Sequence, residues 1–188
     1  MTPAMTRTTA DKAKSSAEPS GKPRRGRHPE TVVLFYVANQ MFAIAADSVH
    51  EIRSTDSLAG AANEIENPGL PKVRHTIDRS GRTYYVVNAG QHFGLPVTRP
   101  ALVLILRQFR AAVLVDRIDR MAEIPGVYPL PLAFTGEERR WYRGLAYLDD
   151  SVIPVVEPTG FLTPQEFQLL DRAHKRAHER EAASAVQA

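Results

Sequence analysis

The chain has 188 residues, 43% of them apolar, 24% charged and none cysteine, with a formal net charge of +3. That is enough to bury one substantial core or two small fused ones, and it excludes disulfides, thiolate metal sites and cysteine nucleophiles. No stretch approaches the roughly 18 consecutive apolar residues of a membrane helix, and the first thirty residues lack the apolar segment of a signal peptide, so the expected location is the cytoplasm, without membrane insertion.

Residues 1–30 hold seven Lys or Arg against three acids, whereas 31–162 hold 13 against 14, so the basicity belongs to a leading tail. Rich in Ser, Thr, Pro and Lys, this tail is expected to be disordered. Its densest part, Lys22-Pro-Arg-Arg-Gly-Arg-His-Pro29, comes close to the Arg-Gly-Arg-Pro core of minor-groove hooks, but His28 interrupts it. A solvated tail is the favoured reading; contact with nucleic acid or an acidic partner is the alternative.

From Thr31 the pattern is of hairpins. Val32–Val37 and Met41–Ala45 are β-rich runs around Ala38-Asn39-Gln40, where Asn39 suits a tight turn. The basic turn Arg79-Ser80-Gly81-Arg82 opens a run from Thr83 to Asn88 that stops at Ala89-Gly90. Leu102–Leu106 is apolar throughout, as in a strand covered on both faces, and returns through Arg107-Gln108-Phe109 into Ala111–Val115. Trp141–Leu148 and Val152–Val156 turn at Asp149-Asp150-Ser151. Such short strands and regular turns suit closed or nearly closed antiparallel barrels.

Two segments about 70 residues apart run alike: Ala45-Ala-Asp-Ser-Val-His-Glu-Ile52 and Leu114-Val-Asp-Arg-Ile-Asp-Arg-Met121. The match pairs Asp47 with Asp116, Val49 with Ile118 and Ile52 with Met121, which suggests two related β-units. The chain then closes with a helix. Thr163-Pro164-Gln165-Glu166 is a capping box with proline at the first helical position, and Leu162 can staple onto Phe167. Phe167, Leu170, Ala173 and Ala177 form its apolar stripe. The expected organisation is therefore a tail at 1–30, a β domain at 31–162, a docked helix at 163–180, and a disordered end at 181–188.

The chemical constellations are poor. Lys72 is the one lysine of the β domain, and neither a glycine-rich phosphate loop nor a dinucleotide fingerprint is present. Ser80 lies in a basic turn with His75 as its nearest candidate base, which reads as a turn serine. His174 and His178, with Asp171, sit at metal-ligand spacing in a charged helix face. Asp149-Asp150 and Asp116/Asp119 have structural roles at strand ends. No catalytic residue, metal or cofactor is expected.

The order of these elements resembles CheW, the coupling protein of bacterial chemotaxis, and the regulatory domain of its partner kinase CheA. The resemblance runs from Val32 to about Ala173. It rests on Phe35-Tyr-Val-Ala-Asn-Gln-Met-Phe-Ala-Ile44, Val49-His-Glu-Ile-Arg53, Leu70-Pro71, Gly81 before a β run, and Gly94-Leu95. It continues through Val115-Asp-Arg-Ile118, Arg143-Gly-Leu-Ala146, Val152-Ile-Pro-Val-Val156 and Phe161-Leu162 with Phe167-Gln-Leu-Leu-Asp171. It implies a mainly β fold of two packed five-stranded SH3-like barrels with a C-terminal helix. It also implies a non-enzymatic adaptor between a methyl-accepting chemoreceptor tip and a CheA-type histidine kinase regulatory domain, in chemotaxis or pilus-type motility.

On that resemblance Val49, Glu51 and Arg53 lie near the receptor groove, with Val49 either the apolar anchor or a barrel plug. Relatives carry Asn-Leu-Arg-Gly and Val-Asp-Leu-Arg where this chain has Asp78-Arg79-Ser80-Gly81 and Val87-Asn88-Ala89-Gly90. Ser80 thus replaces a receptor-holding arginine, whose forked charge serine cannot imitate. Either Arg79 or Arg82 takes over, or the partner differs. The competing reading is a β-barrel nucleic-acid binder using Arg24, Arg25 and Arg27, against which stand the −1 charge of residues 31–162 and the lack of a regular series of aromatics for stacking bases.

Overall fold

The computed structural model describes residues 28–58, 60–65, 70–96 and 98–186. The basic tail to Arg27 lies outside them.

Eleven strands form two sheets. In chain order they are β1 Glu30–Val37, β2 Gln40–Ala45, β3 Val49–Ser54, β4 Ala62–Glu64, β5 Val73–Arg79, β6 Arg82–Asn88, β7 Leu102–Leu106, β8 Ala111–Val115, β9 Arg117–Ile124, β10 Tyr142–Leu148 and β11 Ser151–Val156. Three α-helices accompany them: α1 Ala89–His92, α2 Glu138–Trp141 and α3 Pro164–Val186. One sheet has the order β10-β11-β2-β1-β9 and the other β3-β7-β8-β6-β5-β4.

The two sheets repeat one plan. In each, a central antiparallel hairpin (β1–β2, β7–β8) carries an antiparallel edge strand on one side (β9, β3) and a parallel partner on the other (β11, β6), itself half of a hairpin (β10–β11, β5–β6). The repeat at Ala45–Ile52 and Leu114–Met121 is the passage from the central hairpin to its following strand, β2 to β3 and β8 to β9. That strand crosses to the other sheet each time. Every sheet therefore mixes strands from both halves of the chain, and neither can form from a contiguous segment.

Short turns set the hairpins. Ala38-Asn39, Ser80-Gly81 and Asp149-Asp150 are two-residue connections with both residues at positive φ, the type I′ geometry whose twist matches that of the strands. Ser80 at φ 50° tolerates this conformation and Gly81 at φ 73° suits it.

Three apolar layers result. Val33, Phe35, Val37, Leu104, Leu106, Val113 and Val115 fill the space between the sheets. The alternate residues Val32, Leu34, Ala43 and Val155 fill the concave side of the five-stranded sheet, and Val103, Ile105, Ala112 and Val86 that of the six-stranded one. This is why β1 and β7 are apolar at almost every position: both their faces are buried.

The expected barrels need two corrections of detail. The second sheet has six strands, because the three-residue β4 adds to β5, and each sheet contains one parallel pair. The sheets are also open. On the first, one bridge, Tyr128 to Leu145, joins the loop after β9 to β10, and Gly144 permits it, since a β-carbon there would meet the Tyr128 carbonyl at 2.2 Å.

The α3 capping box forms as read: Thr163 N donates to Glu166 at 2.7 Å and Glu166 N donates to the Thr163 hydroxyl at 3.2 Å. The helix continues to Val186, past the end expected at residue 180, because Glu-Arg-Glu-Ala-Ala-Ser-Ala-Val contains no glycine or proline to stop it. Leu170 is fully buried under it. Asp171, read as a possible metal ligand, instead receives Arg110 through two bonds at 2.9 and 2.7 Å together with the Tyr85 hydroxyl. Arg110's hydrogen bond holds the Asp171 carboxyl below its usual range, and burial, helped by Asp171, pushes the Tyr85 hydroxyl up. At the other end of the docked turns Lys72 Nζ lies 2.8 Å from Glu166.

Candidate functional site

A bulge in β3 decides where each residue of the Val49–Arg53 segment goes. The register with β7 shifts between Val49 and Glu51, leaving His50 as the extra residue. Val49 and Ile52 then pair with Leu106 and Leu104, on the face toward the central layer, while Glu51 and Arg53 pair with Ile105 and Val103, on the concave face.

Val49 is 8% exposed and belongs to the central core, so it is the barrel plug of the two readings. The exposed apolar residue of this strand is Ile52, at 41%. Sequence alternation missed this because the bulge breaks the period of two on which it depends.

Glu51 and Arg79 meet across the open side of the six-stranded sheet. Arg79 ends β5, β3 is the far edge strand, and an ion pair between Arg79 Nη1 and Glu51 Oε2 joins the two, both contacting atoms sealed from solvent. Arg53 Nε donates to the other oxygen, Oε1, at 2.6 Å. One carboxylate thus holds two guanidinium groups and orders the base of the Arg79–Arg82 turn.

The tip is presented to solvent. Ser80, Gly81 and Arg82 are exposed, and the Arg82 guanidinium lies over the Tyr84 ring, 5.7 Å from its centroid. At the end of β6, Asn88 caps the short helix α1, accepting from Gln91 N at 3.0 Å. Glu51, Arg53, Arg79 and Arg82 therefore form one patch with Ser80 and Gly81, while Val49 is separated from it by the sheet.

The five-stranded sheet repeats this clasp with the charges exchanged. By the internal repeat Glu51 corresponds to Arg120, and by topology the β5–β6 turn corresponds to the β10–β11 turn. Arg120 Nη2 donates to Asp149 at 2.5 Å, and Arg120 Nη1 to Asp119 at 2.8 Å. Met121, the counterpart of Ile52, is likewise exposed, at 64%. The six-stranded sheet thus presents the turn Arg79-Ser80-Gly81-Arg82 and the five-stranded sheet the turn Leu148-Asp149-Asp150-Ser151.

A hollow of about 660 Å³, to which neither turn contributes, is lined by Lys72, Trp141, Tyr142 and the first turn of α3. Its lysine is already committed to Glu166. Behind it His92 is buried against Phe93, Trp141 and Phe161 with Nδ1 3.5 Å from Lys72 Nζ, and desolvation, aided by the lysine charge, lowers it to about 3. A ring held neutral in this way is a packing group.

The model of the CheW-like domain matches residues 31–166, both sheets and the start of α3. The chain belongs to the CheW-like domain family. Among solved structures it is similar to the scaffolding protein TtCheW from Thermoanaerobacter tengcongensis, at 20% identity and a TM-score of 0.58, covering 69% of this chain and 90% of that one. A search of curated proteins gave no match. Among the described residues no helix is long and apolar enough to cross a membrane.

Proposed function

We propose that this member of the CheW-like family is a non-enzymatic coupling adaptor that joins a chemoreceptor tip to the regulatory domain of a CheA-type histidine kinase. The observation that carries the reading is the family match across both sheets. Supporting it, each sheet presents a hairpin turn carrying exposed charges, Arg82 on one and Asp149 and Asp150 on the other, of the kind that steer a partner into register.

The receptor-facing patch is Glu51, Arg53, Arg79, Ser80, Gly81 and Arg82. Arg79 is committed to Glu51, so Arg82 is the arginine that supplies the guanidinium Ser80 lacks. Titration of the protein with a receptor tip fragment and, separately, with the kinase regulatory domain tests this. Binding of both at tens of micromolar or tighter, with Arg82→Glu weakening only the receptor, is expected; absence of binding to either contradicts the reading.

A further inference from the structure

The hollow of about 660 Å³ beside Trp141 falls within the roughly 300–1,000 Å³ of small-molecule sites, and its walls are pinned in place. The Tyr142 ring stacks on Phe93 with centroids 5.8 Å apart, and the Trp141 ring packs on His92 at 4.8 Å. Glu157 N donates to the Trp141 carbonyl at 2.9 Å. Gly160 lets the same turn lie against the backbone of α2, since a β-carbon there would collide with the Arg140 carbonyl. The first turn of α3 is fixed in its turn by the capping box and the Lys72–Glu166 ion pair.

What these walls leave unengaged are chiefly donors. Glu166 is spent on Lys72 and Thr163 N, Glu157 accepts from Thr159, and Arg139 donates to the Phe134 carbonyl. By contrast the Arg140 guanidinium, the Trp141 indole N–H, the Tyr142 hydroxyl and the Gln165 amide have no hydrogen bond or ion pair among the described residues. Desolvation, aided by Glu138, pushes the Tyr142 hydroxyl up to about 12, so it keeps its proton and can donate. Glu137 is the unengaged carboxylate of the lining, and it is exposed.

We propose that this hollow binds a small organic carboxylate carried on a flat apolar body. The carboxylate takes Arg140, whose forked donors match its two oxygens, with the Tyr142 hydroxyl and the Trp141 N–H as further donors. The body lies against the half-buried Trp141 ring, which supplies apolar area at fixed geometry. A neutral ligand of the same shape leaves Arg140 without a counter-charge, and a cation is repelled by it. None of these residues belongs to the receptor-facing patch, so the site stands whether or not the adaptor reading is right.

Trp141 is the single tryptophan of the chain, so its indole N–H gives one cross-peak in the spectrum of ¹⁵N-labelled full-length protein. The probe is sodium benzoate, added to about 20 mM at constant ionic strength, with benzamide and benzylammonium as the neutral and cationic forms of the same ring. Expected is a saturable shift of the indole peak together with the Gly160 and Gln165 amides. Benzamide on the wild type, and benzoate on Arg140→Gln, should each bind about tenfold more weakly, the effect of one charged hydrogen-bonding group. Arg140 is exposed, so its variant keeps the fold, which the remaining peaks report. A linear drift without saturation overturns the site. So does an equal response to benzamide or benzylammonium, or an Arg140→Gln titration that matches the wild type.

Discussion

Glu51 on β3 and Arg79 at the end of β5 close the six-stranded sheet through an ion pair whose contacting atoms are shielded from water. Their counterparts Arg120 and Asp149 close the other sheet with the signs reversed. The pairing makes Glu51→Ala and Arg79→Ala each destabilising, by about 1 kcal/mol, because each leaves a shielded atom of the partner without its counter-charge, although Arg53 still holds the other Glu51 oxygen. The double variant should lose less than the sum of the two. Chemical denaturation of the four proteins measures this; strictly additive losses would mean the pair is incidental.

Val49 and Ile52 share a strand face but not an environment. Val49→Ala should cost about 2 kcal/mol of stability by emptying part of the central core. Ile52→Ala, at a half-exposed position, should change stability by less than about 0.5 kcal/mol. If Val49→Ala left the midpoint of unfolding untouched, the core placement of this segment would be wrong.

The turn separates fold from recognition. Gly81 sits at φ 73° with nothing within 4 Å of a β-carbon, so Gly81→Val fails by backbone strain rather than by a clash. A loss of about 1 kcal/mol or more is expected, and more for a β-branched residue. Gly81 is therefore needed for the hairpin and is a poor probe of binding. Arg82→Ala should keep the melting temperature and lose affinity, and thermal unfolding beside a binding titration distinguishes the two.

His92 gives stability a pH dependence of defined sign. Its folded value, lowered to about 3 chiefly by desolvation, lies below that of the unfolded chain. The neutral ring thus favours the fold fully above about pH 6.5, and that contribution is lost progressively as pH falls toward the folded value. The slope from this residue is about 1.4 kcal/mol per pH unit at its steepest. His92→Phe should flatten the stability profile between pH 6.5 and 4; an unchanged profile would place the acid sensitivity elsewhere.

Much of the fold was legible because its hairpins are local. Leu102–Leu106 and Ala111–Val115 match β7 and β8 at both ends, since an apolar run bounded by turn residues has one plausible strand assignment. The sheet order was less accessible: the parallel pairings β2–β11 and β6–β8 join distant segments and leave no mark on local pattern. β4 is three residues without alternation, and α1 opens on Ala89-Gly90, which reads as a stop. At the site, Glu51, Arg53 and the Arg79–Arg82 turn could be named from the sequence, but the Glu51–Arg79 contact depends on how far the sheet curls. The reversed clasp Arg120–Asp149 was hidden for the same reason, although the repeat already aligned Glu51 with Arg120.

The adaptor reading requires that one molecule hold both partners at once, through surfaces that do not compete. The direct measurement is light scattering on a size-exclusion column of the protein mixed with a receptor tip fragment and a CheA-type regulatory domain. A co-eluting species containing all three, from which Arg82→Glu removes the receptor fragment but not the kinase domain, is the predicted result. Mutually exclusive binary complexes, or elution of the protein alone, would contradict it.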